Sequence, residues 1–265
     1  MNKEMQRVAD EWGVVPEEDL PGLAHELREV ARLPGMRAIH HQLFDGLNLH
    51  LDAAVLEVGC GPWLWGPMLR QYVGPTALLA GIDVYYGLVA AATEPNVCVA
   101  DGRRLPFHPR SFDAVFCSRL LTHVGPTEVL IDEMMQVTRR GGMIGAFEWT
   151  FSQWEIEDDN GPISDAVHHA LVDNHYRPDI GVELPDLLRE MGLSGVTAIP
   201  YLERITDAYD SPLTLELIRR HVDLVLATGE FPAEDVEAWY SAIRQRAEEG
   251  RFALTRTGLA SWGKV

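Results

Sequence analysis

Short apolar runs alternate with amphipathic stretches between residues 53 and 149 of the chain. The apolar runs are AAVLEV, ALLAGID, VCVA, FDAVFCS and GMIGAFEW, and the stretches between them include PMLRQY, LVAAAT and PTEVLIDEMMQVTRR. Apolar runs of this length are typical of strands covered on both faces, whereas the longer stretches suit crossover helices. The alternation therefore predicts a Rossmann-like α/β fold, with an open parallel sheet and helices on both faces.

The segments on either side of this alternation are mainly helical. LAHELREVARL and MRAIHHQLFDGLNL predict two helices before the first strand, because apolar residues recur at three- and four-residue steps. The alternation breaks after Trp149, and residues 151–181 are polar and rich in His and Asp. We then predict a helix at ELPDLLREMGL, a strand at GVTAIPYL, the helices LTLELIRRHVDLVLATG and AEDVEAWYSAIRQRAEEG, and a last strand in RFALTRTGLASWGK.

These elements predict a single domain with helical additions. Residues 1–50 are expected to form an N-terminal helical cover, and residues 51–265 the domain itself. Helical insertions are expected at about 151–181 and 205–250. The sequence shows no internal repeat, low-complexity tract or linker that would divide it further.

The chain is acidic, with a formal net charge of −18. This charge argues against a nucleic-acid partner and against anionic membranes, because both are bound mainly through Lys and Arg. No apolar run approaches the ~20 residues needed to span a bilayer, and the start MNKEMQRVADEW lacks the apolar region of a signal peptide. We expect a cytoplasmic protein with a small-molecule partner. Self-association as a homodimer stays open.

Two groups of side chains contain residue types that bind metals, but their spacing does not support a metal site. Cys60, Cys98 and Cys117 lie in or beside predicted strands and lack metal-type spacing, so we expect buried, reduced thiols. The second group comprises His168, His169, Asp173 and His175, with His169 and Asp173 one helical turn apart. Metal sites use tighter ligand patterns with supporting hydrogen bonds, so we predict a polar helix face or pocket rim and no metal.

The stretch EVGCGPW, from Glu57 to Trp63, joins the first predicted strand to a glycine-rich turn. Such turns cradle nucleotides, but Trp63 occupies the place where a third glycine normally lets the helix pack closely. Proline is well tolerated at a first helical position, so we expect a helix from Pro62 or Trp63 with the indole rotated toward the N-terminal helices. Gly66 would restore some of the space. The competing interpretation is that Trp63 fills part of the cleft.

Carboxylates stand at three successive strand ends, namely Glu57, Asp83 and Asp101. Asp83 lies at the usual distance beyond the glycine loop for a ribose diol. Each aspartate alone can also be explained as a helix cap, and Glu57 as a solvated strand-end charge. Their joint occurrence with the glycine loop favours a nucleoside site at the carboxyl edge of the sheet.

The order of these features resembles the class I S-adenosylmethionine-dependent methyltransferases. The resemblance rests on the glycine loop, Asp83, Asp101-Gly102, RLPF at residues 104–107, FDAV at residues 112–115, Arg139-Arg140-Gly141-Gly142 and the closing strand. The chain is similar more narrowly to a bacterial subgroup with small-molecule acceptors, through Glu148-Trp149 and Gly250-Arg251-Phe252. The resemblance implies a seven-stranded, mostly parallel sheet whose last strand is antiparallel.

The resemblance also implies S-adenosylmethionine as cofactor and assigns candidate residues to it. The cofactor-binding set would be Arg37, Glu57, Gly59, Cys60, Gly61, Asp83, Val84, Asp101, Gly102 and Ser118. Within this set Glu57 and the glycine turn would face the methionine portion, and Asp83 the ribose hydroxyls. Asp101 and Gly102 would meet the adenine, Ser118 would line the methyl-transfer passage, and Arg37 would pair with the cofactor carboxylate.

The same resemblance implies an enzyme that methylates a small organic molecule by direct displacement. His123 is a candidate general base, although many methyl transfers need only alignment of an ionised acceptor. Trp149 and Tyr176 are candidate walls of the acceptor pocket, and either can equally be a core residue. The alternative is a methyltransferase-like protein that binds S-adenosylmethionine without transferring methyl. A dehydrogenase is a weaker rival, because it gives no reason for Asp101-Gly102.

Overall fold

The computed structural model of the chain describes residues 17–92, 96–158, 161–207 and 212–265. In these residues seven strands form one sheet of order β3-β2-β1-β4-β5-β7-β6. The strands are β1 (Val55–Val58), β2 (Leu79–Asp83), β3 (Val97–Val99), β4 (Phe112–Ser118), β5 (Thr138–Ile156), β6 (Ser194–Ile205) and β7 (Leu254–Lys264). Neighbours pair in parallel except that β7 runs antiparallel to β5 and β6. The predicted fold is confirmed.

Helices cover both faces of this sheet. They are α1 (Leu20–Arg32), α2 (Pro34–Gly46), α3 (Gly66–Val73), α4 (Tyr86–Ala90), α5 (Thr127–Val137), α6 (Pro162–Asp173), α7 (Ile180–Glu190), α8 (Pro212–Thr228) and α9 (Ala233–Glu248). Apolar residues of α2 and α3 share one core cluster with the sheet, and those of α5 and α7 share another. A third cluster joins α6, α8 and α9 to the ends of β6 and β7. No helix within the described ranges has the length and apolarity to cross a membrane.

Strand β5 continues to Ile156, beyond the break predicted after Trp149. Its pairing with β7 runs regularly to Thr150 and resumes at Glu155, so a bulge intervenes. The prediction failed because a bulge interrupts the two-residue alternation without ending the strand. Phe151 and Trp154, both on the bulge, are buried, which places two extra aromatic rings beside Trp149.

The helix after the glycine turn begins at Gly66, not at the predicted Pro62 or Trp63. Trp63 has a φ of +59°, in the left-handed region, which no helical residue adopts. Proline stands in the first turn of α3, immediately after Gly66. The Trp63 ring is buried, and an added Cβ at either Gly66 or Gly81 would overlap it. The indole therefore packs in the core against two glycines; Gly66 was predicted to make room, and Gly81 was not.

One of the three cysteines departs from the expectation of buried thiols. Cys60 and Cys117 are buried, whereas Cys98 is exposed. The reason is topological, because Cys98 belongs to β3, the strand at one edge of the sheet. The three thiols are free, without a disulfide.

Candidate active site

A cavity of about 400 Å³ opens above the carboxyl ends of β1, β2 and β4. Its position coincides with the point where strand order reverses, between β1 and β4, and open α/β sheets bind ligands there. Two helices outside the sheet cover part of the cavity. Helix α1 contributes Leu23, Glu26, Leu27 and Val30, and α8 contributes Thr214, Leu217 and Arg220.

At one end of the cavity, Asp83 ties together the loops that follow β1 and β2. Its carboxylate accepts a hydrogen bond from the Gly61 N–H at 2.8 Å and another from the Tyr85 N–H at 3.0 Å. Gly61 has a φ of +53°, a conformation that glycine adopts without strain and that aims its N–H inward. Burial raises the pKa of the Asp83 carboxyl, while these N–H groups oppose that shift. The arrangement fixes a carboxylate at the cavity wall.

Glu57 lies beside this turn and is only 2% exposed. Its Oε2 has no hydrogen-bond partner among the described residues. Burial raises the pKa of Glu57 well above its usual range, the neighbouring Asp83 adds to the shift, and Arg119 opposes it. A buried carboxylate oxygen without a donor is costly, so this position suits a ligand that carries N–H groups or a positive charge.

The end of β4 is held by a residue that the sequence had not singled out. The Nδ1–H of His40 donates to the Met36 carbonyl at 2.7 Å, which leaves Nε2 to accept a hydrogen bond from the Ser118 hydroxyl at 2.9 Å. The His40 ring stacks on Trp65, with centroids 3.6 Å apart. Burial lowers the pKa of His40 to about 3, so the imidazole is neutral. Ser118 is thereby fixed at the cavity wall.

Glu148 organises the loop that leaves β4. Its Oε1 accepts hydrogen bonds from the Leu120 and Leu121 N–H groups, both at 2.8 Å. The side chain is fully buried, and its Oε2 has no hydrogen-bond partner among the described residues. Burial raises the pKa of the Glu148 carboxyl to about 7, although the backbone donors oppose that shift. This loop carries Arg119 and His123 into the cavity.

The raised pKa of Glu148 predicts a pH dependence of stability. Between about pH 4.5 and 7 the Glu148 carboxyl keeps its proton in the folded protein but has lost it in the unfolded chain. The contribution of Glu148 to the free energy of unfolding therefore falls as pH rises and levels off above about pH 7. The free energy of unfolding of the native protein, minus that of the Glu148→Gln variant, should decline by about 1.4 kcal/mol per pH unit across this window. Urea unfolding of both proteins at pH 5, 6, 7 and 8 measures it.

A matched control for this experiment is Glu155→Gln. Glu155 lies on the same strand but is exposed. Its substitution measures the effect of removing an exposed carboxylate from β5. A difference in free energy of unfolding between the native protein and Glu148→Gln that stays flat with pH would contradict the assignment of the raised pKa to Glu148.

The other end of the cavity is built from aromatic rings. Phe151 stacks on His175 with centroids 3.7 Å apart, and Trp149 meets Trp154 edge to face at 5.4 Å. His123 lies 5.1 Å from His175, ring to ring. The Nδ1–H of His175 donates to the Leu171 carbonyl at 2.8 Å. Enclosure and the neighbouring His175 lower the pKa of His123, so its imidazole is neutral near pH 7.

Two arginines of the cavity wall were not anticipated from the sequence. Arg119 follows β4 directly, and Arg256 lies on β7 with 7% of its surface exposed. The sequence did contain a sign that Arg256 is buried. Arg256 occupies the same alternating positions of the last strand as Leu254 and Gly258, which are the buried positions of β7. Arg119 gave no such signal, since the residue after a strand has no fixed side-chain direction.

Most of the predicted site residues line the cavity, and three do not. The lining includes Glu57, Gly59, Cys60, Gly61, Asp83, Val84, Gly102, Ser118, His123 and Trp149. Arg37 is exposed on α2 and points elsewhere. Asp101 is engaged by Arg103, whose Nη2 donates to it at 2.9 Å and whose N–H caps it. Tyr176 is 62% exposed, and its ring covers Gly125.

The histidine-rich group does not gather around one point. His175 faces the cavity, whereas His168 contacts the Phe151 carbonyl at 3.4 Å. Within the described part of the chain, no three His, Cys, Asp or Glu side chains are placed to hold a metal ion together.

Parts of this chain are similar in sequence to a known family and to known bacterial proteins. Residues 56–145 match the family model described as Methyltransferase domain, which confirms the resemblance read from the strand ends. An uncharacterized 37.1 kDa protein in transposon TN4556 of Streptomyces fradiae is 25% identical over 247 residues, which are 90% of this chain and 71% of that protein. Demethylmenaquinone methyltransferase of Staphylococcus aureus is 32% identical over 114 residues, 40% of this chain. The chain matches 47% of that enzyme's length.

Solved structures share the fold at low sequence identity. The YcgJ protein of Bacillus subtilis superposes with a TM-score of 0.56 at 17% identity, over 85% of this chain and 98% of that one. A putative methyltransferase of Bacillus halodurans gives 0.55, also at 17% identity, over 84% and 97%. These similarities bear on the architecture alone.

Proposed function

We propose that this chain, as a class I S-adenosylmethionine-dependent methyltransferase, methylates a small organic molecule held in the aromatic end of the cavity. One observation carries the proposal. One continuous cavity joins the glycine turn and the carboxylates Glu57 and Asp83 to an aromatic wall that includes Trp149. Donor and acceptor can therefore meet inside one space, which α1 and α8 partly cover.

The residues at the nucleoside end fit S-adenosylmethionine. The unpartnered oxygen of Glu57 suits the cofactor's ammonium group, and the fixed carboxylate of Asp83 suits two ribose hydroxyls. Gly59 has a φ of +71°, a conformation that glycine adopts without strain, and an added Cβ would also come within 2.8 Å of the Leu120 side chain. When bound, the cofactor supplies a sulfonium methyl group for in-line displacement.

Around that chemistry, the chain's own residues position the acceptor and hold its proton. His123 is neutral near pH 7 and faces the cavity, so one ring nitrogen is free to accept a proton from an acceptor. Its lowered pKa makes it a weak base, which favours acceptors that ionise easily. Ser118, fixed by His40, lines the same cavity.

The alternative of binding without methyl transfer loses its main support. That alternative depended on Trp63 filling part of the cleft. The Trp63 ring instead packs against Gly66 and Gly81 in the core and does not line the cavity.

Calorimetric titration tests the proposed function. S-adenosylmethionine and its demethylated product should both bind, whereas NAD should not. Incubation with labelled S-adenosylmethionine and a panel of small phenols, amines, thiols and carboxylates should then transfer label to at least one compound. Failure to bind S-adenosylmethionine, or binding of NAD in its place, would contradict the proposal.

A further inference from the structure

Arg119 lines the cavity and has an unusual backbone conformation. It has a φ of +55°, and its N–H donates to the Phe147 carbonyl at 2.8 Å, which fixes this strained backbone. A non-glycine residue in the left-handed region is strained and persists where the surroundings impose it, often at functional sites. Its Nε is buried and has no hydrogen-bond partner among the described residues. Glu57 and Glu148 influence its charge, yet neither accepts a hydrogen bond from this nitrogen.

Arg256 brings a second guanidinium to the same wall. Its Nε donates to Glu203 at 2.6 Å, which holds the group in place. The guanidinium lies 4.8 Å from the Trp149 ring centre and 5.4 Å from that of Trp154. Arg256 is thus fixed by one carboxylate and two indoles.

The two arginines repel each other across the cavity wall. Burial and the charge of Arg256 together lower the pKa of Arg119 to about 10, and Glu148 and Glu57 oppose that shift. The carboxylates near Arg119 compensate poorly, because burial raises the pKa of both Glu57 and Glu148. A concentration of positive charge here is unexpected in a chain of net charge −18. An anion between the guanidinium groups would relieve the repulsion and supply the missing acceptor.

We infer that Arg119 and Arg256 form an anion subsite that holds a carboxylate of the methyl acceptor, with the acceptor's planar ring against Trp149, Phe151 and Trp154. The inference rests on the proposed function and narrows its acceptor to flat, anionic molecules. The aromatic rings supply apolar surface for stacking, and the guanidinium forks supply orientation. Neutral molecules of the same shape would leave Arg119 unpartnered.

The cofactor's own carboxylate has the same chemistry, so the experiment must separate the two sources. The probes are 2-naphthoate and its neutral counterpart 2-naphthamide, added to protein saturated with the demethylated cofactor. Quenching of Trp149 and Trp154 fluorescence and calorimetry report binding. The native protein should bind the carboxylate at least about tenfold more tightly than the amide, as expected for one charge-assisted contact.

Variants then locate the preference. Arg119→Gln and Arg256→Gln should each abolish the preference for the carboxylate while leaving the affinity for the demethylated cofactor unchanged. Arg119→Lys and Arg256→Lys keep the positive charge but lose the planar guanidinium, so they should retain part of the preference for the carboxylate. They provide the test if a Gln variant does not fold. Arg204→Gln is the matched control, because Arg204 neighbours Glu203 but is exposed and paired with Glu157. It should keep the full preference.

Three results would overturn the inference. One is equal binding of naphthoate and naphthamide, or no binding of either. The second is a preference that survives in both Gln variants. The third is a Gln variant that loses cofactor affinity at least about tenfold but keeps the preference, since the arginines would then hold the cofactor's carboxylate. If the native protein binds no cofactor, the proposed function fails, and the naphthoate comparison without cofactor still decides on the subsite.

Discussion

Trp63→Ala is expected to lower the free energy of unfolding by about 3–5 kcal/mol and to leave the affinity for S-adenosylmethionine nearly unchanged. The loss follows from removing a buried indole that packs against Gly66 and Gly81. Both glycines lack the side chains needed to fill the space, so a cavity would remain. Affinity should persist, because the Trp63 ring does not line the ligand cavity. Urea unfolding and calorimetric titration measure the two quantities.

Two further variants sharpen this expectation. Trp65→Ala removes an indole that lines the cavity and stacks on His40, so it should reduce both stability and cofactor affinity. Gly81→Ala adds a methyl group where the Trp63 ring lies and should lower the free energy of unfolding by about 1–3 kcal/mol or more. The same substitution in the Trp63→Ala background should cost less, which a double-mutant cycle detects. A parallel fall in affinity and stability for Trp63→Ala would place the ring in the cleft.

Asp83→Ala is expected to weaken S-adenosylmethionine binding by at least about tenfold. A charge-assisted hydrogen bond contributes about 1.5–3 kcal/mol, and each 1.4 kcal/mol changes affinity about tenfold. The substitution also removes the acceptor that holds the Gly61 and Tyr85 N–H groups, so the glycine turn loses its anchor. Calorimetry on the folded variant gives the affinity, with circular dichroism as the check on folding.

Asp101→Ala is the matched comparison for Asp83→Ala. Both aspartates follow neighbouring strands, but Asp101 is held by Arg103 and does not line the cavity. We expect a smaller loss of affinity for Asp101→Ala than for Asp83→Ala. Equal losses would support the adenine contact that the sequence predicted for Asp101. An unchanged affinity in Asp83→Ala would remove that residue from the site.

The sequence determined the strand-end part of the site. Glu57 and Asp83 lie in strands that the apolar runs predicted, Gly59 and Gly61 lie in the turn after the first of these strands, and all four line the cavity. The reason is local, because parallel strands of one sheet bring their carboxyl ends to the same edge whatever surrounds them. Position in the chain therefore sufficed to bring these residues together.

The sequence did not determine which face of helix α2 meets the sheet. The periodicity of α2 predicted the helix but not which site, if any, its polar face meets, and Arg37 lies exposed while His40 reaches Ser118. The two positions are three apart, and such positions differ in direction by only about 60° around a helix, so the periodicity alone does not decide which side chain reaches the sheet. The face that meets β4 is set by packing against the sheet.

The acceptor end was decided only by the tertiary structure. Trp154 reaches the cavity because β5 bulges against β7, Arg256 because of the register of β7, and Arg119 because its φ is +55°. Each direction depends on contacts between segments far apart in the chain. Trp63 belongs to the same class, since its ring packs against Gly81 on the neighbouring strand. Local patterns fix where strands end, whereas side-chain direction follows from long-range packing.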